Sequence, residues 1–220
     1  MSAAALWLAL AGMPVFTETT LPNGIQVLSA LTESQSTGFA VFLLGGSCAL
    51  DPDAAGIENL AVECALTGSG SHPGERWREM MDSTQATMEG VYSYDYTAVR
   101  LQCLAPDLPL LLDALADCLL DPEMDPSACA RVRDALVSRS QAAEADPDSR
   151  VWNLANSGLF AGHPYLTRPG GTPGTLSGME PDDAAQHLRR RMVSGNILLV
   201  HAGPTPGDSL LAMLAGSFGR

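Results

Sequence analysis

The chain of 220 residues is long enough for one domain with a real hydrophobic core, or for two very small ones. Hydrophobic residues make up 46% of it in periodic segments, which excludes a disordered chain. Its 12 basic residues against 25 acidic ones leave a formal net charge of −13, which argues against a nucleic-acid or anionic-membrane surface and would draw in a basic peptide or basic partner protein.

The apolar run at residues 3–13 is too short to span a membrane, and no Lys or Arg precedes it. It reads as an N-terminal extension (residues 1–14) that packs on the domain or on a partner; a cleaved signal peptide is the second reading. Residues 15–21, the Pro22-Asn23-Gly24 turn and residues 25–31 form a strand, tight turn and strand. A third, nearly continuous apolar strand covers residues 38–44 and leads into the Gly45-Gly46-Ser47 bend. Residues 56–69 are helical: at 3.6 residues per turn Ile57, Leu60, Ala61, Cys64 and Ala65 share one apolar face. Glu58, Asn59, Val62 and Glu63 form a neighbouring strip, of which Glu58, Asn59 and Glu63 are expected to face solvent or a groove.

A loop at residues 72–74 and a short helix at 75–83 precede two strands, residues 87–94 and 96–104. In the second, Thr97, Val99, Leu101 and Cys103 alternate with Tyr96, Ala98, Arg100 and Gln102, the pattern of a half-buried strand. Leu108, Leu111, Leu112, Leu115 and Leu119 make a helical stripe that Asp121-Pro122 ends. Further helices are expected at residues 126–145, up to the Asp146-Pro147 break, and at 148–160. The next starts at Glu180-Pro181-Asp182-Asp183 and runs to about Met192, with Pro at its first position, acids in its first turn and Arg189–Arg191 at its end. Residues 196–201 form a strand and 207–215 a last helix. No linker divides the chain, so residues 15–220 read as a single α+β domain.

The motif helix resembles the one that carries the H-x-x-E-H zinc motif in the pitrilysin/insulinase (inverzincin) peptidases and mitochondrial processing peptidases. There the run is Gly-Leu-x-His-x-x-Glu-His, then a short apolar stretch and Gly-Thr. Here Gly56-Ile57 and Gly68-Ser69 match the frame, but Asn59 and Glu63 stand at the histidine positions and Val62 at the glutamate position. The segment Phe160-Ala161-Gly162-His163-Pro164-Tyr165 with Pro169, Gly171-Thr172 and Leu176, and later Asp183, Arg189-Arg190, Asn196 and Ala202-Gly203, resemble further parts of the same family. The similarity spans about residues 16–218.

The resemblance implies one pitrilysin-like half, a mostly antiparallel sheet covered on one side by helices. It also implies a third zinc ligand, a glutamate, on the long helix ahead of the Asp146-Pro147 break; that region holds Ser138, Arg139 and Ser140 and no carboxylate. Zinc of this kind needs imidazole nitrogens backed by a carboxylate and an open position for water, and a general base to take the water's proton. Asn59 offers a poor amide donor, Val62 cannot ionise, and Arg139 would repel a cation. No metal is therefore expected in this chain.

Other candidates are weaker. His72, His163, His187 and His201 are dispersed, and His163 before Pro164 reads as a turn residue. Cys64 lies on the apolar face, where a thiol is raised in pKa and inert. The five cysteines, Cys48, Cys64, Cys103, Cys118 and Cys129, form no C-x-x-C pair and read as free thiols of a reducing cytoplasm. Ser69 and Ser71 lack a nucleophile's context, and Gly170, Gly171, Gly174 and Gly178 do not make a phosphate loop. Tyr92 and Tyr94 share a strand face and are candidates to line a peptide groove, with sheet packing as the plainer reading for them and for Tyr96.

Active family members carry two such halves in a clamshell, and this sequence holds one. The expected function is a non-catalytic subunit of a peptidase complex that walls the peptide chamber and supports a zinc-bearing relative, as a heteromer rather than a homodimer. The alternatives are a metallopeptidase with an atypical site and a purely structural peptidase-like subunit of a larger complex.

Overall fold

A computed structural model describes residues 15–219, and the apolar run at residues 3–13 lies outside them. Strand β1 (Phe16–Thr20) turns through Asn23-Gly24 into β2 (Gln26–Leu31), with Gly24 at φ 91°. The Asn23 side chain pins this turn to the far end of the chain by donating to the Phe218 carbonyl at 2.8 Å. Strand β3 (Ser36–Leu44) becomes the centre of the sheet, flanked by β5 (Tyr96–Leu104) and by β6 (Ile197–Gly203), while β4 (Thr87–Tyr92) pairs with β5. The strand order is β1-β2-β6-β3-β5-β4, antiparallel throughout except for the β2–β6 pair.

The period-2 pattern of the strands decides which face is covered. Thr37, Phe39, Val41 and Leu43 of β3 and Thr97, Val99, Leu101 and Cys103 of β5 are buried. Gly38, Ala40, Phe42, Arg100 and Gln102 lie on the other face, which forms a broad trough of about 740 Å³. Among the described residues, the first face packs in one core with side chains from the helices. Helix α1 (Ile57–Ala65) packs against β4 and later helices, α2 (Gly74–Thr84) leads into β4, and α3 (Leu108–Leu120) fills the middle of the layer. Leu108, Leu111, Leu112 and Leu115 of α3 have no exposed surface, and burying each contributes about 1.5–3 kcal/mol.

Helix α4 (Pro126–Ala145) has the ends its sequence signals. The Asp125 carboxylate accepts from the Ala128 N–H at 2.7 Å with Pro126 at the first position, and Asp146 starts helix α5 (Pro147–Leu159) by accepting from the Ser149 N–H at 2.8 Å. Helix α7 (Pro181–Arg191) is opened by Asp183, whose side chain accepts from the Glu180 N–H at 2.9 Å. Helix α8 (Gly207–Ser217) closes the described chain.

The α+β architecture expected from the sequence is the one observed. Two local expectations are corrected. Strand β4 stops at Tyr92, so Tyr94 sits in the tight turn between β4 and β5 rather than on the strand. The glycine-rich stretch after Pro169 contains a short helix, α6 (Pro173–Ser177), absent from the sequence reading. Its composition disfavours a helix, but reciprocal hydrogen bonds between Thr172 and Thr175 cap it, and Leu176 is buried without exposed surface. Among the described residues no helix is long and apolar enough to cross a membrane.

Candidate site at the motif helix

The position of α1 is set at its first turn. Gly56 has φ 93° and Gly171 φ 70°, and the two backbones touch: a Cβ on Gly56 would meet the Gly171 Cα at 3.0 Å, and one on Gly171 the Ala55 carbonyl oxygen at 2.7 Å. Only glycine permits that backbone conformation together with so close an approach. The Thr175 hydroxyl closes the junction by donating to the same Ala55 carbonyl at 2.8 Å. The segment carrying Arg168 is thereby held beside the motif positions of α1. It is anchored further by the Ser47 hydroxyl, which donates to the Thr167 carbonyl at 2.8 Å.

On one side of α1 lies Glu58, only 5% exposed. Its Oε2 accepts from the Thr97 hydroxyl of β5 at 2.5 Å, and its Oε1 lies 3.5 Å from Arg191 Nη2 and 3.7 Å from His187 Nε2, both on α7. The Arg191 guanidinium also donates to the Leu44 carbonyl at the end of β3. The expectation of a solvated or groove-facing strip is therefore wrong for Glu58. Its carboxylate joins α1 to the sheet and to α7, and burial is tolerated because a cation and a hydroxyl meet it there.

On the other side the degenerate zinc positions take three different directions. Val62 is 1% exposed and belongs to the hydrophobic core. Glu63 is half-buried, and its Oε1 accepts from the Tyr92 hydroxyl at 3.1 Å. Burial first, and the Glu63 charge next, push the Tyr92 hydroxyl's pKa up, so Tyr92 remains a neutral donor. Asn59 is 6% exposed and lines a cavity of about 300 Å³ with Arg139 and Ser140 of α4, Asn153 of α5, Tyr94 and Arg168. Its Oδ1 is buried without a hydrogen-bond partner. Ser138 is exposed, one step round α4, and its hydroxyl donates to the Asp134 carbonyl at 2.9 Å.

The structure thus brings Asn59, Arg139 and Ser140 together around one cavity but turns Val62 and Ser138 away. It also separates the two tyrosines proposed for a groove. Tyr92 is held by Glu63, while the Tyr94 ring stacks on Tyr165 with centroids 4.8 Å apart. Tyr165 in turn donates to the Asp95 carboxylate at 2.8 Å. Arg168, Asn153 and Glu144 are the polar cavity residues that the sequence reading missed. Arg168 does lie within the recognised segment after His163-Pro164-Tyr165, and that was the available signal.

The donor set around the cavity does not fit zinc. It offers the Asn59 and Asn153 amides, the Ser140 and Tyr94 hydroxyls, two guanidinium groups and a single carboxylate, Glu144, with no histidine or cysteine, while the motif carboxylate Glu63 is engaged by Tyr92. Among the described residues no group of three or more His, Cys, Asp or Glu side chains could hold a metal ion. The histidines serve elsewhere. His163 Nδ1 accepts from the Tyr165 N–H at 3.1 Å, which makes it the turn residue its place before Pro164 suggested. His72 faces Asp117 at 3.6 Å. His201 shares a 2.9 Å hydrogen bond with Thr37, and burial lowers its pKa. The Cys64 thiol is raised by its hydrogen bond with Cys129 and then by burial, which leaves it inert as a nucleophile.

A sheet with this order, one helical layer, and an α1–α4 pair bearing the motif positions define the half-domain of an inverzincin-type peptidase. Residues 26–168 match the insulinase family, peptidase family M16, and the chain belongs to that family. It is 22% identical over 203 residues to cytochrome b-c1 complex subunit 1 of Mus musculus, covering 92% of this chain and 42% of that protein. It is likewise 22% identical over 205 residues to the mitochondrial-processing peptidase subunit beta of Lentinula edodes, covering 92% and 44%. The periplasmic protease PqqL of Escherichia coli superposes with a TM-score of 0.85 at 15% identity, over 93% of this chain and 24% of that one. The chain spans less than half the length of these relatives.

Proposed function

We propose that this chain is a non-catalytic subunit of a zinc metallopeptidase complex, forming part of the peptide-binding chamber and supporting a zinc-bearing relative. The observation that carries this reading is the fate of the three motif side chains. The residue at the general base's position is a core valine, the one motif carboxylate is held by Tyr92, and the remaining position is a buried amide. With no ionisable base and no histidine at either place, this half has nothing to activate a water at α1.

The sheet supports the peptide-holding part. Among the described residues strand β4 is an edge strand, paired with β5 alone, and it adjoins α1 through Tyr92 and Glu63. An extended peptide would add to such an edge through its main chain. The net charge of −13 favours a basic peptide and opposes close pairing of two copies, which makes a heteromer the preferred assembly. Two of the relatives are named as subunits, one of a peptidase and one of the cytochrome b-c1 complex. The five free thiols fit a reducing compartment, with the cytoplasm as the proposed location.

Light scattering coupled to size-exclusion chromatography, on the chain alone and co-expressed with a zinc-bearing family member, tests the proposal. A stable heteromer whose peptidase activity exceeds that of the zinc-bearing chain alone is expected. A monodisperse monomer that joins no such relative would overturn it, and a stable complex without peptidase activity would favour the purely structural alternative.

A further inference from the structure

The cavity between α1 and α4 has a chemistry of its own, distinct from the metal chemistry its position would suggest. It holds two guanidinium groups, Arg139 and Arg168, against a single carboxylate, Glu144, in a protein whose overall balance is strongly acidic. Among the described residues neither guanidinium takes part in a salt bridge. Arg139 acts only through space, on the Tyr92 hydroxyl. An excess of cationic forks in a cavity of about 300 Å³ is a site for a small planar anion, because a guanidinium's parallel N–H groups match the two oxygens of a carboxylate.

The second observation is independent of charge. Asn59 is more than nine-tenths buried, lines this same cavity, and its Oδ1 has no donor. A buried carbonyl oxygen left unpaired is destabilising, so the site calls for an N–H as well as a carboxylate. The Tyr94 ring adds an apolar wall that is fixed in place by its stack on Tyr165. A ligand that carries a carboxylate, a neighbouring N–H and a side chain for an aromatic wall is the last residue of a peptide.

We propose that this cavity binds the free C-terminal carboxylate of a peptide, with Arg139 and Arg168 taking the carboxylate and Asn59 Oδ1 accepting from the terminal residue's amide N–H. The inference rests on the reading that peptides reach this face of the subunit. It adds the end of the peptide that is recognised and the group that recognises it. A free C-terminus is what every hydrolysed peptide bond leaves on one product, so the site selects cleaved or naturally terminated chains over internal segments. It also reconciles the acidic surface with an anionic anchor. A peptide with basic residues upstream is drawn by the overall charge and held at its end by the arginine pair.

Fluorescence anisotropy on the full chain would test it. The probe is an N-terminally fluorescein-labelled hexapeptide of alternating Lys and Ala ending in Leu, supplied with a free C-terminal carboxylate, with a C-terminal amide, and as an amide with Glu in place of the final Leu. The acid form is expected to bind roughly tenfold or more tightly than the Leu amide, the scale of a lost charged hydrogen bond. Arg139→Gln and Arg168→Gln, both away from the core, should each erase that preference while leaving the circular dichroism spectrum and Tm unchanged. Equal affinity for acid and Leu amide overturns the carboxylate site and leaves strand addition at β4 standing. Binding of the Glu-ended amide as tight as the acid form overturns the assignment to the chain terminus. Binding of none of the three overturns both this inference and the peptide-holding function.

Discussion

Glu58 and Asn59 are neighbours on one helix, both are buried, and their surroundings could hardly differ more. Glu58 meets a hydroxyl, a histidine and an arginine drawn from β5 and α7. Asn59 Oδ1 meets no donor and opens on a cavity. Neither Glu58 Oε1 nor Asn59 Oδ1 has a hydrogen-bond partner, so what separates them is charge and access: Glu58 Oε1 faces His187 and the Arg191 cation at ion-pair distance, whereas Asn59 lines a cavity. The Glu58 side of the helix is thus tied to β5 and α7, while the Asn59 side opens on the cavity.

Removing the architectural partner should have the largest effect. Glu58→Ala strands the Arg191 guanidinium against Leu44 and deprives Thr97 of its acceptor, so a loss of about 3–5 kcal/mol is expected, the range for breaking one member of a buried pair. Urea unfolding with equal m-values measures it, and a loss under about 1 kcal/mol would mean the cluster is dispensable.

Restoring the family's motif attacks the other side. The combined Asn59→His, Val62→Glu and Glu63→His variant should show no chelator-sensitive hydrolysis of an unstructured peptide, since Arg139 and Ser140, which share the cavity with Asn59, supply no third zinc ligand. It should also lose about 2 kcal/mol, because a carboxylate in place of the Val62 side chain would enter a core position that is 1% exposed in the native chain. Hydrolysis above background would show that this half retains a usable site.

A smaller change sharpens the same contrast. Tyr92→Phe removes one half-buried hydrogen bond to Glu63 and should cost about 1 kcal/mol in thermal or urea unfolding. An unchanged midpoint would mean that Glu63 is as free as Asn59.

The smallest effect is a control remote from both sides. His201 on β6 has a pKa lowered by burial from its ordinary value of 6.5. The unfolded chain therefore binds that proton more readily, and the stability is full above pH 6.5 and declines as pH falls from there towards the lowered folded value. His201→Gln should flatten the stability profile in that window. A profile identical to the native one would remove His201 from the account.

Much of this was legible in the sequence. Asp125-Pro126 and Asp146-Pro147 mark both ends of α4, since a capping carboxylate and a proline act within one turn. The leucine stripe of α3 and the alternation in β5 likewise appear intact in the core. What misled was reading Glu58, Asn59 and Glu63 as one strip. Helical periodicity places residues on a face, but it has no knowledge of what faces them. The partners of Glu58 come from β5 and α7, far along the chain, and the wall opposite Asn59 comes from α4 and the segment ending at Gly171.

By itself, then, the sequence determined the leucine stripe of α3, the alternation of β5 and both ends of α4, because propensity and capping are local, but not α6 or the end of β4. Only the tertiary structure decided that Glu58 is a buried tie, that Glu63 belongs to Tyr92, and that Arg168 joins Arg139 at Asn59. Those outcomes depend on which backbones can approach, and the Gly56–Gly171 contact that brings the Arg168 segment against α1 is a fact of packing that no spacing along the chain encodes.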